Sequence, residues 1–117
     1  MAVKITTKVE GGKLLRLELE LTEDLARAKS VKLSGDFFIH PEDSLQIIEK
    51  ALLTAPIDQP MLSIAGRIGN LTVSQGIQMI GINPESIANA FTDAVRLAKG
   101  NAEIKEGGKE ASNLKPV

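Results

Sequence analysis

Apolar and polar residues alternate with a period of two over the first part of the chain. Val3, Ile5, Thr7 and Val9 alternate with Lys4, Thr6 and Lys8; Leu15, Leu17, Leu19 and Leu21 alternate with Arg16, Glu18 and Glu20. That period turns one set of side chains toward a core and the other toward water, so both runs predict strands. Gly11-Gly12 between them predicts a hairpin. A loop made of the two glycines alone would set Ile5 opposite Glu18 and Val3 opposite Glu20, and the apolar faces would not coincide. Pairing Val9 with Leu15, Thr7 with Leu17, Ile5 with Leu19 and Val3 with Leu21 restores a common face. Gly11, Gly12 and Lys13 are then the loop, closed by Glu10 and Leu14, with room for a bulge. After the polar turn Thr22-Glu23-Asp24, Val31 and Leu33 predict a third strand. Ala28 joins their face only if a bulge shifts the phase. The expected sheet is a three-stranded antiparallel meander with one dry face, which something must cover.

The apolar period then changes to that of helices. His40-Pro41-Glu42-Asp43 reads as a helix start, followed by Leu45, Ile48 and Leu52 at helical spacing with Ile47 and Ala51 beside them. Pro56 ends that helix. Asp58 is a candidate cap for a second one near Pro60, with Met61, Ile64, Ala65 and Ile68 on one face, weakened by Gly66 and Gly69. Ile77, Met79 and Ile80 fit a short strand or an extended connector. Asn83-Pro84-Glu85 is the strongest start signal in the chain, combining a capping side chain, a proline and an acid. Ile87, Phe91, Ala94, Val95 and Ala98 form the stripe of the last helix, and Gly100 is placed to stop it. The fold class expected is α+β, a three-stranded meander with room for a short fourth strand, covered on one face by about three helices. Residues 1–100 form a single domain in this reading, and 101–117 a polar, disordered tail.

Composition narrows the function. The chain has 117 residues, one domain's worth, with 14 Lys and Arg against 15 Asp and Glu. Near-neutrality removes a global drive toward nucleic acid or anionic membrane. Cysteine is absent and histidine single, which excludes disulfides, thiolate nucleophiles and multi-histidine zinc sites. There is no Trp or Tyr and only three Phe, too few rings for stacking on single-stranded nucleic acid. No long apolar run or apolar leader is present, so a soluble, cytoplasmic protein is expected.

The remaining chemistry is sparse. Gly11-Gly12-Lys13 could bring amides and an ammonium to a phosphate, but it lies between strands and lacks the P-loop spacing, so a hairpin turn explains it. Gly35-Asp36-Phe37-Phe38 is the least ordinary segment. Adjacent residues of an extended segment point opposite ways, so one ring can plug the core while the other needs a second surface or stays exposed. Asp36 reads as a turn or capping residue. A core plug with a turn and a partner contact are both open readings, since aromatics concentrate binding energy at interfaces. His40 is the only imidazole, with Asp36, Glu42 and Asp43 near in sequence. No matched nucleophile accompanies it, and before Pro41 it reads more simply as a residue leading into a helix. No acid pair has metal or glycosidase spacing. No catalytic residue and no metal ligand is assigned, which favours a binding or accessory role.

Two segments carry a resemblance. Lys8-Val9-Glu10-Gly11-Gly12-Lys13-Leu14-Leu15-Arg16, then Val31-Lys32-Leu33-Ser34-Gly35-Asp36-Phe37-Phe38-Ile39-His40-Pro41-Glu42, resemble the accessory domain of lipoate–protein ligases. Gly81-Ile82-Asn83-Pro84-Glu85-Ser86-Ile87-Ala88 is similar to its last helix. The likeness spans about residues 3 to 98, with Glu10 where the family commonly has proline. No counterpart of the large catalytic domain is present. In many bacterial ligases this domain is C-terminal, and in archaeal bipartite ligases it is a separate chain; Met1 at the start of the pattern favours the second form.

The resemblance implies a non-catalytic accessory subunit of an ATP-dependent ligase, with no activity expected of it alone. With a catalytic subunit it would support ATP-dependent activation of lipoate to lipoyl-adenylate. Transfer follows to a lysine on lipoyl domains of 2-oxoacid dehydrogenases or on the glycine-cleavage carrier protein. ATP, magnesium and lipoate belong to the complex, and no cofactor is expected on this chain alone. Gly11, Gly12 and Lys13, with Gly35, Asp36, Phe37, Phe38 and His40, are the expected contacts with the catalytic subunit. A homodimeric scaffold or regulatory module, pairing through an exposed strand edge, is the alternative. An independent enzyme built on His40 and Asp36 is a third reading.

Overall fold

The computed structural model describes residues 2–9 and 13–104. In chain order its elements are β1 (Ala2–Lys8), β2 (Leu14–Leu21), β3 (Ala28–Gly35), β4 (Phe38–His40), α1 (Ser44–Thr54), α2 (Met61–Gln75), β5 (Gln78–Ile80) and α3 (Pro84–Ile104). The alternating runs form an antiparallel meander in the order β1-β2-β3. Leu15, Leu17, Leu19, Leu21, Ala28 and Leu33 are buried on its dry face, with Val3, Ile5 and Val31 half-buried beside them.

The shared apolar face is as expected, but the β1–β2 register is not. Val3 faces Leu19, Ile5 faces Leu17 and Thr7 faces Leu15, each two residues from the expected partner. A pattern of period two separates odd offsets from even ones and cannot choose among the even ones. Val9 N donates to Lys13 O at 2.7 Å, so Lys13 belongs to the ladder rather than to the loop. Glu10, Gly11 and Gly12 lie outside the described residues. Between β2 and β3 the expected irregularity is present. Leu19 faces Val31, the register shifts between Glu20 and Leu21, and Leu21 faces Ala28. The extra residue lets Ala28 join the face of Val31 and Leu33. The preceding turn is held by Asp24, which accepts from the Thr22 hydroxyl at 2.6 Å and from Ala26 N at 3.0 Å. The hydroxyl bond, then the amide bond, keep the Asp24 carboxyl below its ordinary pKa by stabilising the charged form.

Two helices lie on the dry face: α1 packs on β3, and α3 on β2 and β1. The third, α2, packs against α3 and α1. The architecture is therefore α+β, with its core between the meander and the helices. The short strands do not extend the meander; β4 and β5 pair with each other in a second, two-stranded sheet.

Helix boundaries show what local signals miss. The first helix begins at Ser44, not at His40–Asp43: His40 ends β4, and Ser44 N donates to Pro41 O at 2.9 Å in the turn between them. Pairing of His40 with Gln78 holds it extended. Asp58 does not cap α2; Pro60 precedes it, and Ser63 N donates to Pro60 O at 3.0 Å. At its other end Gly76 adopts φ +65°, a left-handed stop that glycine allows without a Cβ clash. Gly66 and Gly69 do not break this helix, and a Cβ at either would meet nothing within 4 Å. Gly66→Ala and Gly69→Ala are each expected to stabilise the protein by about 0.5–1 kcal/mol, because alanine loses less backbone freedom on folding. A higher urea midpoint at unchanged m, followed by circular dichroism, checks this.

The start of α3 is as expected. Ser86 N donates to Asn83 Oδ1 at 2.7 Å, and Asn83 N donates back to Ser86 Oγ at 3.0 Å. This reciprocal pair satisfies two amides at the helix start. Asn83→Ala should cost about 1 kcal/mol, read as a lower urea midpoint. The end is not as expected: α3 runs through Gly100 to Ile104. A helix tolerates one glycine at about 1 kcal/mol when good helix formers follow, here Ala102 and Glu103. Residues 105–117, the rest of the expected tail, lie outside the described residues.

Candidate functional site

The two motif segments meet at one end of the meander. Leu15 faces Gly35, and Asp36 N donates to Leu14 O at 2.9 Å. Lys13, the first residue described after the loop, is thus one residue from the backbone that receives Asp36. Both side chains are exposed. Gly35 makes the approach possible. Its φ is +146°, and a Cβ there would lie 2.2 Å from the Leu14 carbonyl oxygen. Gly81 acts similarly on the other side: at φ +93°, its Cβ would sit 3.2 Å from Asp36 O and 3.4 Å from Phe37 Cα. Segment 35–38 is therefore held between β2 and the end of β5 by two close backbone passages.

This clamp sorts the two rings. Phe37 is half-buried and packs on the core, whereas Phe38 is 65% exposed. In the second sheet Phe38 faces Ile80, Ile39 faces Met79 and His40 faces Gln78. Alternation turns Ile39 and Met79 inward, where Ile39 is buried and Met79 half-buried. Phe38, His40, Gln78 and Ile80 share the opposite, exposed face. Ile80 is 47% exposed directly across from Phe38, so the two form an apolar pair on the surface. His40 is exposed at its side. Among the described residues no group of three or more His, Asp or Glu could hold a metal ion, and no helix is long and apolar enough to cross a membrane.

The structure thus joins Lys13, Gly35, Asp36, Phe37, Phe38 and His40 into one region, while Gly11 and Gly12 fall outside the described residues. Two members escaped the sequence reading. Ile80 belonged to a short apolar run with no assigned partner, and only the β4–β5 register places it against Phe38. Gly81 entered only as the first residue of the segment similar to the family's last helix, with no contact assigned to it. Glu49 also gave no signal: its carboxylate accepts the Leu33 amide at 2.8 Å across sixteen positions of sequence.

Lipoate-protein ligase A subunit 2 of Thermoplasma acidophilum is 33% identical over 78 residues, which cover 67% of this chain and 76% of the relative. The chain belongs to this family of ligase subunits. A solved structure agrees. The study of an archaeal lipoylation system from Thermoplasma acidophilum, a bi-partite lipoate protein ligase and its E2 lipoyl domain, contains a chain that matches with TM-score 0.59 at 29% identity. The match covers 78% of this chain and 97% of that one. No protein-family model matches the sequence. Membership in the family agrees with the resemblance carried by the glycine–lysine and Gly35–His40 segments.

Proposed function

We propose that this chain is the non-catalytic accessory subunit of a two-chain lipoate–protein ligase and works only when docked on a separate catalytic subunit. The observation that carries the reading is the exposed Phe38–Ile80 pair, two residues along the chain from the contact of Asp36 with Leu14, in a chain of the ligase second-subunit family. An aromatic ring turned to water beside an aliphatic partner is the composition of an interface hot spot. Docking covers Phe38 and Ile80 and biases the catalytic subunit toward a closed state with less water around its substrates. Lys13 adds positive charge near the phosphates of ATP. ATP, magnesium and lipoate are used by the complex, in the cytoplasm, to form lipoyl-adenylate. The lipoyl group then passes to a lysine of a lipoyl domain or of the glycine-cleavage carrier protein.

Lipoate-dependent pyrophosphate release tests the reading. The catalytic subunit alone should release little, and addition of this chain should raise the rate at least tenfold. A catalytic subunit whose rate is the same with and without it would refute the proposal.

A further inference from the structure

The two outer edges of the meander are unlike. On β3 the outward amide of Leu33 is occupied by Glu49, and α1 lies against that strand. On β1, α3 lies on the helix side only; among the described residues no side chain bonds the outward amides of Lys4, Thr6 or Lys8, and β2 is its one strand neighbour. The bond from Val9 N to Lys13 O fixes which backbone groups of β1 are free. Opposed residues in an antiparallel ladder alternate between bonded and non-bonded pairs. Val9 and Lys13 are bonded, so Thr7–Leu15, Ile5–Leu17 and Val3–Leu19 are bonded as well. Lys4, Thr6 and Lys8 therefore aim their N–H and C=O groups away from β2, along an open edge.

The side chains describe what fits there. Val3 and Ile5 are only half-buried on the helix side, so a further strand would complete their cover. On the opposite side a cross-strand row runs Lys32, Glu18, Lys4, alternating in sign and ending on a cation at the open edge. Lys8 is exposed and faces Leu14, with no anion across from it. Both lysines call for carboxylates on the next strand. A second copy of β1 supplies none. Antiparallel pairing of β1 with itself through its outward groups sets each lysine that is paired within the strand against another lysine, Thr6 or Ala2.

We infer that β1 receives an extended segment of the catalytic subunit by strand addition, with acidic residues opposite Lys4 and Lys8 and apolar residues on the helix side. This rests on the accessory-subunit reading and adds a contact distinct from the Phe38 face. Amide hydrogen exchange on the free chain and on its complex with the catalytic subunit tests it. Thr7, Ile5 and Val3 should exchange slowly in both states, whereas Lys4, Thr6 and Lys8 should slow at least tenfold only in the complex. Thr6→Pro removes an outward N–H without touching the β1–β2 ladder, and should weaken the complex at least tenfold while the circular dichroism spectrum is unchanged. A complex that forms without slowing Lys4, Thr6 and Lys8 overturns this inference and leaves the accessory reading standing. Slowing of those amides in the free chain as its concentration rises overturns it in favour of a second copy. If no complex forms, both readings fail.

Discussion

Gly35→Ala is expected to cost at least about 3 kcal/mol, a large share of the 5–15 kcal/mol that holds a typical domain folded. Two independent penalties coincide at this residue. A φ of +146° lies in a region that residues with a Cβ rarely adopt. The new Cβ would also stand 2.2 Å from the Leu14 carbonyl oxygen and 3.0 Å from its carbonyl carbon. Those are backbone atoms of the central strand, so no side chain can swing aside. Relief requires β2 and β3 to part at this end, which breaks the bond from Asp36 N to Leu14 O. Backbone strain of about 1–3 kcal/mol and a lost backbone hydrogen bond of about 1 kcal/mol then add to the local loss of packing. Urea unfolding followed by circular dichroism measures the loss, since the chain has no Trp or Tyr. Gly76→Ala is the control. Its φ is +65° but nothing lies within 4 Å of the added Cβ, so only the conformational cost of about 1 kcal/mol remains. Equal effects at the two positions would mean that the close passage of Gly35 over Leu14 is not what demands glycine.

Phe38→Asp is expected to separate binding from folding. The ring is 65% exposed in the free chain, so its replacement should change stability by no more than about 0.5 kcal/mol. In the complex it should be covered, and loss of a central aromatic with introduction of a charge should weaken association by at least about 2 kcal/mol, near thirtyfold. Titration calorimetry against the catalytic subunit, beside urea unfolding of the free variant, reads both quantities. Phe91 supplies the opposite case. It is 1% exposed in the core, and Phe91→Ala should cost about 3–5 kcal/mol of stability. Should Phe38→Asp bind as tightly as the parent chain, the Phe38–Ile80 face is not the docking surface.

Alternation in the first strands and stripes in the helices were sufficient to name the core. Leu15, Leu17, Leu19, Ile48, Leu52, Ile64, Ile68, Ile87 and Phe91 are all buried. The cap of α3 was equally plain, because Asn83 and Ser86 satisfy each other within one turn. The opposite orientations of Phe37 and Phe38 followed from their adjacency in an extended segment. What adjacency left open was which ring faces the core, and the clamp of Gly35 and Gly81 resolves that. The beginning of α1 was misplaced because Pro41 and its acids form a persuasive local signal, yet β5, about forty residues away, holds His40 in a strand.

Local rules thus specify properties that depend on neighbours along the chain: the parity of a strand, the face of a helix, a reciprocal cap. The β1–β2 register, the β4–β5 pairing, the Glu49 carboxylate on Leu33 and the exposure of Phe38 depend on groups distant in sequence. Contacts of that kind exist only after the chain has closed on itself. Their geometry is set by which backbones can approach, and a one-dimensional pattern carries no distance between such groups. The exposed face of Phe38 and Ile80 in this ligase-family chain is accordingly written in residue types but assembled by packing.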